Sequence, residues 1–145
     1  MLSNTSRYAL RALIYLATHK REKTKIGIYK IADDLNIPAH FLGKILQNLV
    51  KQKLLESTKG PHGGFSVSEK LNKTTLYDVI KIIDGDDLFN KCLICDKICT
   101  ESIENHCSLH SRYEEIRLSL KKMFCEQTVF DLASEFRNSG MMIDL

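Results

Sequence analysis

Two stretches decide the fold: Ile31-Ala32-Asp33-Asp34-Leu35-Asn36-Ile37-Pro38-Ala39-His40-Phe41-Leu42-Gly43-Lys44-Ile45-Leu46-Gln47-Asn48-Leu49, and, a few residues on, Lys59-Gly60-Pro61-His62-Gly63-Gly64-Phe65. In the first, Ile31, Ala32 and Leu35 give the inward face of a short helix over residues 29–35. Asn36-Ile37 turns the chain, and Pro38 suits a first helical position, where no N–H is needed. Over residues 38–52, Leu42, Ile45, Leu46 and Leu49 recur at helical spacing and predict a second helix that buries them. Its other face shows Ala39, His40, Gly43, Lys44 and Gln47. Two helices joined by a tight turn outline a helix-turn-helix.

Residues 54–58 and 65–67 then read as two strands, with the glycine-rich stretch as their turn. Its glycines permit positive φ and a close backbone approach to a partner. A basic hairpin directly after a helix-turn-helix makes a wing. Before it, Tyr8, Ala9, Ala12, Leu13, Leu16 and Ala17 line one face of a helix over 6–20, with Thr5 or Ser6 as its cap. After it, Leu76, Val79, Ile80, Ile82 and Ile83 predict a helix that ends at Gly85. Residues 85–110 have little periodicity and read as a loop.

A long helix begins near 108–111. Tyr113, Ile116, Leu120 and Met123, with Phe124 alongside, form a stripe that packs on its own chain or on a second copy. Cys125 lies beside the stripe and is expected to be buried and structural. Thr128-Val129-Phe130-Asp131 fits a capping box for a last helix through Phe136, and 140–145 reads as a tail. The expected fold is mainly α with a small β-hairpin wing. Residues 1–84 form the winged helix-turn-helix, 85–110 a cysteine-rich loop, and 111–145 a dimerisation helix with a C-terminal helix and tail.

The 145 residues suit one domain, or one domain with an arm, and 43% hydrophobic with 27% charged residues excludes a collagen-like or disordered chain. No apolar run approaches the roughly 20 residues that span a bilayer, and the first residues lack a signal-peptide pattern, so a cytoplasmic location is expected. The net charge of +3 conceals an asymmetry: residues 1–75 carry +8 and residues 76–145 carry −5. A basic half suits a polyanion, although lysines also simply solvate small helical domains. No glycine-rich nucleotide loop, paired acid/base carboxylates or nucleophile motif is present, so an enzyme is not expected.

A recognition helix enters the major groove with its first turns at the base edges. Ala39, His40, Lys44 and Gln47 are the candidates there. Lys59, Gly60 and His62 belong to the wing, and Arg7 is a candidate phosphate contact. Surface solvation explains each singly; together, in the basic half, they point to DNA.

Four of the five cysteines, Cys92, Cys95, Cys99 and Cys107, fall within 16 residues. Such clustering suits an iron–sulfur cluster, a zinc site or a thiol switch. Zinc prefers two CxxC pairs, and only Cys92-x2-Cys95 is one. An iron–sulfur cluster tolerates looser spacing and accepts histidine, and His110 follows Cys107 at i+3. The spacing favours iron–sulfur and leaves the other two open.

The runs Arg7-Tyr8-Ala9-Leu10, Ile37-x3-Phe41-Leu42, Leu46-x2-Leu49 and the wing sequence from Lys59 to Phe65 resemble the bacterial Rrf2 family, in its IscR- and NsrR-like branches. The resemblance implies homodimeric winged-helix transcription regulators, paired through the long helix on near-palindromic double-stranded operators. It implies three cluster-binding cysteines in the loop, matched here by Cys92, Cys99 and Cys107. Cys107-Ser108-Leu109-His110 is similar to the family's Cys-Pro-x-His, which implies His110 as fourth ligand and a 2Fe–2S cluster over a 4Fe–4S one. Cys95 is extra to that pattern and is an alternate ligand or a disulfide partner. Lys59 stands where the family usually has Arg, which loses a planar fork. Gly43 stands where IscR carries a polar base-reading residue. Neither a membrane nor a small-molecule substrate is expected as partner. The family also contains cluster-free regulators controlled by a partner protein, so a thiol switch, zinc or such a partner is the alternative control.

Overall fold

The computed structural model describes residues 2–19, 24–92, 94, 98 and 108–139. Helix α1 (Asn4–Thr18) is the central element, with its apolar face from Ala9 to Ala17 buried. Its cap is Ser3, not the expected Thr5 or Ser6. The Ser3 hydroxyl accepts from the Ser6 N–H at 3.0 Å and donates to Asp84 at 2.6 Å. Ser6 is fully buried instead. The sequence pattern misplaced this end because the carboxylate that holds the cap is 81 residues away.

Helices α2 (Ile28–Asp34) and α3 (Ala39–Lys51) form the helix-turn-helix within a residue or two of the expected bounds. Asn36 closes the turn with φ +50°, a conformation that asparagine tolerates better than most residues. Pro38 serves as the cap of α3, one position before its expected place. Leu42, Ile45, Leu46 and Leu49 are all buried, as their spacing requires. Two polar ties fix α2 on α1: the Arg11 guanidinium donates to the Leu35 carbonyl at 2.6 Å, and the Tyr15 hydroxyl donates to Asp34.

Strands β1 (Leu55–Thr58) and β2 (Gly64–Val67) pair antiparallel, with Leu55 opposite Val67 and Thr58 opposite Gly64. Ile26 and Phe65 exchange two backbone bonds of 2.9 Å, adding a one-residue third strand. A 3-10 turn (Glu69–Lys73) leads to α4 (Leu76–Asp84), which opens on a Thr75–Asp78 capping box and ends at Gly85. A short helix α5 (Asp87–Asn90) follows, so the expected loop is helical at its start. The reason is Phe89, which is buried and stacks 4.9 Å from the Tyr77 ring and 6.0 Å from Phe124.

Helix α6 (His110–Glu126) divides the predicted stripe. Tyr113, Leu120 and Phe124 are half-buried, whereas Ile116 and Met123 are 64% and 50% exposed. Cys125 is exposed, contrary to its expected burial, because the inward face of α6 is taken by Phe124 and by Arg117. Helix α7 (Val129–Ser139) starts on the Thr128–Asp131 capping box and runs three residues past Phe136. It returns to α1: Val129 and Ala133 join the core, and Arg137 donates to the Thr18 carbonyl at 2.9 Å. The expected tail, 140–145, lies outside the described residues. Among the described residues no helix is long and apolar enough to cross a membrane.

Candidate nucleic-acid interface and cysteine loop

Burial of Leu42, Ile45, Leu46 and Leu49 turns the opposite side of α3 outward. His40, Lys44, Gln47 and Lys51 are exposed along it and Ala39 is half-buried at its start. Among the described residues no carboxylate forms an ion pair with Lys44, Lys51 or Lys59. Gly43 lies on the edge of α3 turned toward α2, where an added Cβ would stand 3.1 Å from Ile28 Cδ1. A side chain there would need the end of Ile28 to give by a few tenths of an ångström.

Lys59, Gly60 and His62 are exposed at the tip of the wing. A groove of about 640 Å³ separates the wing from the second half of α3, with Gln47 and Lys51 on one wall, Thr58 and Lys59 on the other, and Tyr29 at its edge. The structure thus brings Gln47 and Lys59 together across one groove. Arg7 is exposed on α1, a separate element. Tyr29, 80% exposed at the start of α2, and Phe41, 54% exposed on α3, were not among the sequence candidates. Their signal was available, since each is a large apolar residue outside the periodic buried stripe.

Of the proposed metal ligands, Cys92 and His110 are described, both half-buried; Cys95, Cys99 and Cys107 lie outside the described residues. The described residues alone assemble no group of three ligating side chains. Cys92 follows α5 by two residues and His110 opens α6. Buried Arg117 ties these elements, donating to the Asn90 carbonyl at 3.2 Å and ion-pairing with Glu114. His110 precedes Arg117 by seven residues, about two helical turns, so the two share a side of α6. Lys91 and Ile98 form an antiparallel bridge, which sets Ile98 beside the exit of α5.

Residues 2–135 match the Rrf2 family, described as iron-dependent transcriptional regulators. A protein of Aquifex aeolicus named as an HTH-type transcriptional regulator is 35% identical over 132 residues, covering 91% of this chain and 90% of that one. The HTH-type transcriptional regulator NsrR of Bacillus licheniformis is 31% identical over 108 residues, 74% of this chain and 70% of its own. Among solved structures, CymR, the global cysteine regulator of B. subtilis, has a TM-score of 0.74 at 23% identity, covering 93% of this chain and 97% of that one. IscR of T. potens has a TM-score of 0.74 at 17% identity, covering 97% and 91%. Those two structures share the winged-helix fold. The chain belongs to the Rrf2 family and is a DNA-binding transcriptional regulator, not an enzyme.

Proposed function

We propose that two copies of this chain pair through α6 on a near-palindromic operator, and that an iron–sulfur cluster held by Cys92, Cys99, Cys107 and His110 modulates this binding. The observation that carries the operator reading is the exposed His40, Lys44, Gln47 and Lys51 face of α3 set across a groove from the basic wing. Lys44 and Gln47 suit base edges, Lys59 a phosphate or the adjacent minor groove. The cluster reading rests on three thiols and one imidazole in the donor set, with Cys92 two residues beyond α5 and His110 opening α6, the helices that Arg117 joins. Resemblance to the IscR-like members favours 2Fe–2S over 4Fe–4S, with Cys95 as alternate ligand. A bound cluster supplies a centre sensitive to redox state, nitric oxide or iron supply. The protein's part is to tie that centre, through α5 and Arg117, to the helix that sets the spacing of two recognition helices. Control follows only where the cluster binds one spacing better than the other. The regulator acts in the cytoplasm.

The test is iron and acid-labile sulfide on protein purified without oxygen, with operator binding measured across salt. About two of each per chain is expected for 2Fe–2S. Affinity should fall steeply between about 50 and 200 mM salt as phosphate contacts release counterions, and Lys59→Ala should flatten the salt slope by about one. Zinc, or no metal after reconstitution, would leave the DNA-binding reading standing and make the cysteine loop a structural or thiol-switch site. Salt-independent binding would remove the phosphate contacts.

A further inference from the structure

Helix α3 fills its core side with Leu42, Ile45, Leu46 and Leu49, all buried, so the core does not need Phe41. Yet Phe41 is the large apolar side chain that α3, described throughout, leaves exposed. It stands in the first turn, where its N–H bonds the Pro38 carbonyl at 3.0 Å. Going round the helix it lies about 60° from Lys44 and about 100° from His40, on the edge of the polar face. The His40 ring leans on it, with centroids 5.0 Å apart and planes at 52°, which restrains the aromatic ring in place.

The first turns of a recognition helix are the part that reaches base edges. A phenyl ring makes no hydrogen bond to a base edge or a phosphate. Among the groups a base pair shows in the major groove, the apolar one is the C5-methyl of thymine. Resting on the operator reading above, we propose that Phe41 is a specificity-determining residue that packs on a thymine methyl. His40, on the adjoining side, bonds a neighbouring acceptor, so the pair reads a thymine together with its neighbour. Gly43 projects no side chain, and Ala39 is half-buried at the start of α3.

The experiment uses the full chain, purified without oxygen, and an operator it selects from random DNA. Each thymine is replaced singly by deoxyuridine, which removes the methyl and keeps the pairing. At one thymine per half-site the wild type should bind about fourfold more weakly, the worth of one buried methyl. Phe41→Ala, and Phe41→Gln as a second variant, should bind the thymine operator more weakly and be indifferent to that replacement. Wild-type indifference at every thymine overturns the proposal while leaving operator binding intact. So does an undiminished deoxyuridine effect in the variants, which would assign the methyl to another side chain. Failure to select any operator would overturn the operator reading itself, and this inference with it.

Discussion

Gly64 sits at φ +151°, and a Cβ there would stand 2.6 Å from the Ile26 carbonyl oxygen. The close approach that wing glycines allow is therefore, at this position, to the protein's own backbone. Gly64→Ala should push Ile26 away from Phe65 and cost about 1–3 kcal/mol, the usual range for local backbone strain. A urea midpoint unchanged from wild type would contradict this. Asp34 supplies a pH dependence. Hydrogen bonds from Tyr15 and then Lys30 hold its carboxyl below the ordinary range, while burial and then Asp34 push the Tyr15 phenol up. A depressed carboxyl stabilises the fold above its unfolded value of about 3.9, and that contribution is lost as pH falls through the folded value. The raised phenol acts at the other end, where stability drains as pH rises above about 10. Asp34→Asn should make the acid limb of urea midpoint against pH shallower, and an identical limb would remove Asp34 from the account. Neither Asp34 nor Tyr15 was legible in the sequence, since their contact joins residues 19 apart on two different helices.

At the scale of elements, α4 and α7 begin side by side. The Leu76 N–H donates to the Gln127 carbonyl at 2.9 Å and the Val129 N–H to the Thr74 carbonyl at 3.1 Å. Each start carries a capping box, in which the Thr128 hydroxyl accepts from the Asp131 N–H at 3.1 Å and Asp131 accepts from the Thr128 N–H at 2.9 Å. Thr128→Ala should cost about 1 kcal/mol, and Thr75→Ala a similar amount, read as loss of thermal or urea stability. Because the two starts share a bridge, the double variant should depart from the sum of the singles. Strict additivity would show that the bridge carries no coupling. Thr128 and Asp131 were legible in the sequence because a capping box is local, its partners three residues apart. Ser3 was missed because its cap is completed by Asp84, which no local pattern can supply.

At the scale of the molecule, α6 keeps Ile116 and Met123 in solvent while Phe124 faces the core. Ile116 and Met123 are seven residues apart and share a side of the helix. Under the proposed pairing, Ile116→Glu with Met123→Glu should convert a dimer to a monomer in sedimentation, with helix content retained and operator affinity reduced. A variant that stays dimeric would move the pairing surface off this side of α6. The sequence by itself determined the helix-turn-helix, the wing and most helix starts, because apolar periodicity, turn residues and caps act over a few residues. It also singled out the polar face of α3, since a helix that buries one stripe must present the other. Only the tertiary structure decided that α7 packs back on α1, that Phe89 makes α5 helical, that Cys125 is exposed and that Phe41 stands outside the core. Each of those depends on which surface happens to meet which across long separations in the chain, and a side chain's own residue type does not encode what arrives to cover it.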